Sequence, residues 1–207
     1  MKNNTVLNDY YRQLLQPSIN ELFQLVPDMM ARKIPRANVQ QAFAFKYIKD
    51  HFTTSQSMIC CGSHEDTCCE ALIKLGYNIV KVDPVLNYPL HDYCLKYNYP
   101  SYDCVFSVSV IEHVENDEEF LNDMCKLLKS GGTCVLTCDF KGDFKKGDPV
   151  FQGNYRFYNE DDLLNRFKMI ISKNNCYIDG EIDYSAPSDF CLANTMYTFG
   201  TLVIKKN

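Results

Sequence analysis

Four short clusters fall directly after apolar runs in this chain: Gly62-Ser63-His64, Asp83-Pro84, Ile111-Glu112-His113 and Asp139-Phe140. In open α/β sheets, ligands bind beyond the carboxyl ends of the strands near the switch point of strand order, so these positions are the ones available for chemistry. Gly62 lets the backbone turn sharply and approach a ligand closely, and a helix beginning near Asp66 offers free amide groups behind it. Asp83, about 20 residues further on, stands where an acidic side chain accepts hydrogen bonds from both hydroxyls of an adenosine ribose. The pair points to a nucleoside-containing ligand without choosing which. His113 carries an imidazole, a side chain that can take a proton from a hydroxyl.

The elements that must hold these residues follow from the apolar patterning. Met58-Ile59-Cys60-Cys61 is a short apolar run ending at Gly62; Cys68 to Leu75 has helical spacing and closes on Gly76; Asn78 to Val82 is a second strand ending at Asp83. Asp103 to Val110 reads as a β-branched strand. Asn116 begins a helix whose first turn holds Asp117, Glu118 and Glu119, where negative charge complements the helix dipole. Lys129 ends that helix, and Ser130-Gly131-Gly132 turns into a strand from Thr133 to Cys138. Strands apolar throughout and joined by crossover helices predict a mostly parallel sheet buried on both faces. After an irregular stretch from Lys141 to Gly153, Asn159 caps a helix through about Ile171, and Tyr177 to Asp183 and Met196 to Ile204 fit a closing antiparallel pair. The first fifty residues read as helices broken at Pro17, Pro27 and Pro35. Together these give a helical cap over 1–52 on a core spanning 53–207, the two forming one compact domain.

At 207 residues and 46% hydrophobic, the chain has material for one substantial core. A net charge of −5 gives no general attraction to phosphate backbones, which disfavours nucleic acid and favours a small-molecule acceptor. No stretch approaches the roughly 20 apolar residues that span a bilayer, and the amino-terminal residues lead into polar sequence, so a soluble cytoplasmic protein is expected. The 11 cysteines are odd in number and several lie inside apolar runs, which reads as core packing in a reducing compartment. Cys60, Cys61, Cys68 and Cys69 are no metal cluster on this reading, because neighbours on a strand face opposite sides.

Tyr102 through Val114, with its Glu112-His113 ending, and Leu127 through Thr137, with its Gly-Gly turn, resemble the class I S-adenosylmethionine-dependent methyltransferases. The resemblance runs from about Ser57 to Asp139, more loosely through Arg156 to Leu163 and the end. It implies a Rossmann-like α/β sheet, S-adenosylmethionine as methyl donor, and donor contacts from Cys61, Gly62, Ser63, His64 and Asp66. It further implies that Asp83 binds the ribose, that Pro84 and Val85 flank the adenine, and that Ser107, Val108 and Ser109 form the floor beneath the sulfonium. His113 is the implied base, with Glu112, Asp139, Tyr155 and Arg156 on the acceptor side.

The chain departs from the family pattern in two places. The family's first motif has an acidic residue two positions before the first glycine and further glycines after it, where this chain has Cys60, His64 and Asp66. The donor's ammonium group therefore needs another partner, for which Glu65, Asp66 and Asp139 are candidates. Only 18 residues separate Asp83 from Tyr102, so the third strand or its helix must be shortened, with Asp92 a candidate for the adenine amino group. The leading expectation is O-methylation of a sugar or nucleotide-linked sugar, with Arg156 near the anionic group. N-methylation of an amino sugar or other metabolite and a non-catalytic donor-binding module remain alternatives. A nicotinamide oxidoreductase is disfavoured because it calls for a glycine at position 64 and a hydride-relay residue. Oligomeric state is left open.

Overall fold

The computed structural model describes residues 1–207. A two-residue strand, β1 (Asn4–Thr5), opens the chain, followed by α1 (Asp9–Leu14), α2 (Gln16–Leu25), α3 (Pro27–Arg32) and α4 (Asn38–His51). The alternating part comprises β2 (Ser57–Cys61), α5 (Thr67–Lys74), β3 (Asn78–Val82), α6 (Leu90–Lys96), β4 (Tyr102–Val108), α7 (Asp117–Lys126) and β5 (Leu128–Phe140). Then come α8 (Phe167–Lys173), entered through a π-helical turn at Asp162–Arg166, and β6 (Cys176–Ile178), β7 (Ile182–Asp183), β8 (Phe190–Leu192) and β9 (Thr195–Lys206).

The main sheet runs β3-β2-β4-β5-β9-β6, parallel as far as β5 and antiparallel from there. This is the expected mostly parallel sheet with an antiparallel carboxyl-terminal pair. Side chains alternate along each strand, so each face needs its own cover. Met58, Cys60, Cys104, Phe106 and Val135 face a core shared with Phe43, Phe45 and Ile48 of α4 and Leu72 of α5. Ile59, Cys61, Val105, Cys134 and Leu136 face the opposite core, with Tyr93 of α6, Leu121 of α7 and Phe167 of α8. Cys60 and Cys61 therefore point to opposite sides as small core hydrophobes. Full burial of one such side chain as Phe106 is worth about 1.5–3 kcal/mol.

Several elements differ from the sequence expectation. No strand forms between Asp83 and Tyr102: β3 is the sheet edge, and α6 alone occupies the interval. Helix α7 stops at Lys126, and β5 already pairs at Leu128 with Tyr102 before a register shift to Cys104 and Thr133. Gly131 and Gly132 thus form a bulge within a strand. A Cβ on Gly132 would lie 2.9 Å from the Lys129 carbonyl oxygen and 3.0 Å from that of Tyr102, which explains the small residue. The expected strand from Tyr177 to Asp183 is cut at Gly180, and its second part pairs with β1. The amino terminus is therefore part strand, anchored where Asn4 Nδ2 donates to Asp179 O at 2.8 Å and its Oδ1 accepts from Val203 N at 2.7 Å. No helix is long and apolar enough to cross a membrane.

Candidate active site

Cys61 pairs with Val82, and Cys60 with Phe106, so the carboxyl ends of β2, β3 and β4 lie level. At that edge a cleft has two lobes, of about 530 and 240 Å³, both bordered by Gly62, His64, Ser109, Val110 and His113. Gly62, at φ +84°, makes the turn out of β2, and its N–H and that of Ser63 donate to Val82 O at 2.8 and 3.2 Å. A Cβ there would lie 2.5 Å from both γ-carbons of Val110, so the close approach admits only glycine. Ser109 also holds a left-handed backbone, at φ +56°, and its hydroxyl donates to Glu112 Oε1 at 2.7 Å. Strain of this kind persists only where the surroundings over-determine it.

Asp83 forms the rim of the larger lobe. Its Oδ2 accepts from His64 N at 3.1 Å and its Oδ1 from Val85 N at 2.8 Å. One lone pair of each oxygen is thereby fixed, and the other is left for a vicinal pair of hydroxyls. Pro84 and Val85 continue the rim. With no third strand, the outer wall comes from α6 and α7, through Leu90, His91, Glu119, Phe120 and Asp123. His91 Nδ1 lies 2.8 Å from Asp123 Oδ2, a contact that raises the imidazole pKa. Asp92 points to solvent and does not border the cleft, so the carboxylates near the expected adenine position are Glu119 and Asp123.

His113 ends the short 3₁₀ turn Ile111–His113 after β4 and borders both lobes. Its Nδ1 lies 3.0 Å from Gly153 O. A carbonyl only accepts, so Nδ1 carries the proton and Nε2 of the neutral ring keeps its lone pair.

The smaller lobe lies between the Gly62 turn and the start of α4, bordered by Lys33, Asn38, Gln40, Gln41 and Asp66. Asp66 caps α5 by accepting from Cys69 N at 2.6 Å and also accepts from Gln41 Nε2 at 3.2 Å; burial pushes its carboxyl up to about 6. Glu65 turns outward to Arg32, 2.6 Å away, and Asp139 accepts from Asn154 Nδ2 at 3.1 Å outside both lobes. Of the three candidate carboxylates for the ammonium group, Glu65 and Asp66 border the smaller lobe, Glu65 paired with Arg32, and Asp139 borders neither lobe.

Cys61, Ser63 and Ser107 are fully buried and border neither lobe. Glu112 is likewise fully buried, so its carboxylate braces Ser109 rather than reaching solvent. Arg156 is committed elsewhere: its guanidinium pairs with Asp117 at 2.5 Å and donates to Glu115 O at 2.7 Å. Tyr155 is 53% exposed, and its N–H donates to Glu112 O at 2.8 Å. Sequence reasoning missed Lys33, Asn38, Gln40, His91 and Asp123, none of which follows a strand.

Residues 59–136 match the family model described as a methyltransferase domain. The match covers 78 of the 207 residues, and over that stretch the chain is similar to methyltransferase domains. No curated protein matches it by sequence. Among solved structures, the chain is similar to an S-adenosylmethionine-dependent methyltransferase from Archaeoglobus fulgidus, at 12% identity over 82% of this chain and 94% of that one, with a TM-score of 0.57. It is also similar to the 1,6-didemethyltoxoflavin-N1-methyltransferase of Burkholderia thailandensis, which was crystallised with 1,6-didemethyltoxoflavin and S-adenosylhomocysteine. There the identity is 11% over 96% of this chain and 89% of that one, with a TM-score of 0.54. Such identities speak for the fold and leave the acceptor open.

The cleft has the features that an S-adenosylmethionine ligand needs. A glycine opens close backbone approach, an aspartate has two free lone pairs at the rim, and Val85 and Phe120 are among the apolar residues lining the larger lobe. The smaller lobe is polar, matching the donor's amino-acid end.

Proposed function

We propose that this methyltransferase methylates a hydroxyl of a small polar acceptor, that the acceptor is a sugar, and that His113 is the general base. S-adenosylmethionine supplies a methyl group already activated on a sulfonium. Asp83 accepts hydrogen bonds from the ribose hydroxyls, Pro84 and Val85 flank the adenine with Phe120 opposite, and the Gly62 turn and the Ser107–Ser109 backbone underlie the sulfonium. Because the displacement is in-line, the chain has to align the acceptor and exclude water.

The observation that carries the base assignment is the His113 hydrogen bond to Gly153 O, which leaves Nε2 basic at the meeting point of the two lobes. A hydroxyl acceptor loses its proton there as the methyl group arrives. Tyr155, two residues beyond Gly153, offers an exposed aromatic face of the kind that stacks on the C–H face of a sugar ring. Arg156, paired with Asp117, is not the cation for an anionic group on the acceptor, so the reading rests on the sugar and not on a nucleotide diphosphate.

Single-turnover transfer from methyl-labelled donor, run against panels of sugars and amines, tests the reading. Label is expected on a sugar oxygen, with His113→Ala slower by about 10²–10⁴-fold and its S-adenosylhomocysteine affinity kept within about twofold. An unchanged rate in His113→Ala sinks the base assignment, and label confined to amines sinks the O-methylation reading. Donor binding with no transfer to any acceptor favours a binding module.

A further inference from the structure

The peptide unit joining Gly153 to Asn154 is fixed on both of its edges. Asn154 N–H donates to Phe151 O at 3.0 Å, which closes a turn over residues 151–154 in which Gly153 has φ +91°. In a trans peptide the carbonyl points opposite to the N–H, so the Gly153 carbonyl faces out of the turn, where it meets His113 Nδ1 at 3.0 Å. The turn is seated by the Phe151 ring, whose centroid lies 5.3 Å from that of Phe157 and 5.1 Å from that of Tyr197.

The Asn154 side chain ties the same unit to the end of β5. Its Nδ2 donates to Oδ2 of the buried Asp139 at 3.1 Å, the only hydrogen bond made by a side chain of the turn. On the following residues, Tyr155 N–H donates to Glu112 O at 2.8 Å and Tyr158 N–H to Asp139 O at 2.9 Å. The strap from Gly153 to Tyr158 therefore bridges β5 and the short turn that carries His113. A neutral imidazole in water exchanges between two tautomers, and a carbonyl held against Nδ1 selects one of them.

We propose that Asn154 is a positioning residue for His113: its bond to Asp139 holds the Gly153 carbonyl against Nδ1, which fixes the tautomer of the ring and keeps the Nε2 lone pair available to the cleft. Neither Asn154 nor Asp139 borders either lobe, so a change at that pair reaches the chemistry through His113. The value of this device to catalysis rests on His113 as the base. The tautomer itself is a property of the chain without ligands and is read without an acceptor.

Long-range proton–nitrogen correlation spectra of the full chain, labelled at its histidine ring nitrogens, test this. The chain has four histidines, and His113→Gln identifies the signals of this one by their loss. On the alkaline plateau of the ring titration, wild-type His113 is expected in the Nδ1–H form. Asn154→Leu should raise its ratio of Nε2–H to Nδ1–H by about two- to tenfold, the range open to the loss of one ordinary hydrogen bond. Exchanging the partners, Asn154→Asp together with Asp139→Asn, restores the bond and should restore the wild-type spectrum. Unchanged affinities for S-adenosylhomocysteine and for 5′-methylthioadenosine, which lacks its amino-acid tail, show that the variants are folded. Wild-type His113 in the Nε2–H form, or an unchanged ratio in Asn154→Leu, overturns the proposal. A shifted ratio with undiminished transfer to the sugar that accepts label upholds the positioning and sinks the base assignment instead.

Discussion

A Cβ placed on Gly62 would lie 2.5 Å from both γ-carbons of Val110, so the turn after β2 and the chain after β4 approach as closely as a glycine permits. The contact lies on the border between the two lobes. Gly62→Ala combines this clash with a left-handed backbone angle and should lose about 1–3 kcal/mol of stability. It should also weaken S-adenosylhomocysteine binding more than tenfold. Val110→Ala in the same chain removes the clash but not the backbone strain, so partial recovery of the melting temperature is expected. No recovery would place the whole defect in the backbone.

Asp123 supports the outer wall of the larger lobe, where no strand lies beyond β3. Its side chain is 1% exposed and accepts from His91 Nδ1 at 2.8 Å and Tyr99 Oη at 3.0 Å, which ties α6 to α7. Asp123→Ala should lower stability by about 2–3 kcal/mol and weaken S-adenosylhomocysteine and methylthioadenosine equally. Selective loss of one ligand in titration would argue against a role confined to the adenosine wall.

Burial pushes Glu112 up to about 7, and burial together with the neighbouring Glu112 raises Asp139 well above the usual carboxylate range. Unfolded carboxyls ionise near pH 4 to 4.5, so between about pH 4.5 and 7 the folded chain holds more protons here than the unfolded one. Stability from this pair is therefore greatest at the acid end of that window, falls as pH rises through it, and levels off above. Melting temperatures measured from pH 5 to 8 should show that decline. Glu112→Gln should flatten it and melt higher than wild type at pH 8; an unchanged slope would contradict the assignment.

Asp117 is almost fully buried between Arg156, at 2.5 Å, and Arg166, at 2.8 Å. Removing one cation leaves a buried carboxylate under-compensated. Arg166→Met should cost about 1–3 kcal/mol in denaturant unfolding, with donor affinity within about twofold of wild type. A large fall in affinity at full stability would assign Arg166 to the cleft instead.

The sheet and its carboxyl-end residues were legible in sequence because they depend on local patterning. Gly62 and Asp83 each follow an apolar run, and the short interval before Tyr102 already required something to be missing there. What escaped was tertiary. The strand Asn4–Thr5 exists only because Ile182 and Asp183 lie beside it. Asn38 and Gln40 look like surface residues of an amphipathic helix, and only their burial against the Gly62 turn marks them. Arg156 beside Tyr155 suggested an anion site because its partner Asp117 is 39 positions earlier in the chain.

The most direct test of the donor assignment is a crystal structure of the chain with S-adenosylhomocysteine. The ribose hydroxyls should lie within hydrogen-bonding distance of Asp83, with the thioether over the Gly62–Val110 contact. Ligand found elsewhere, or a ribose without contact to Asp83, would contradict it.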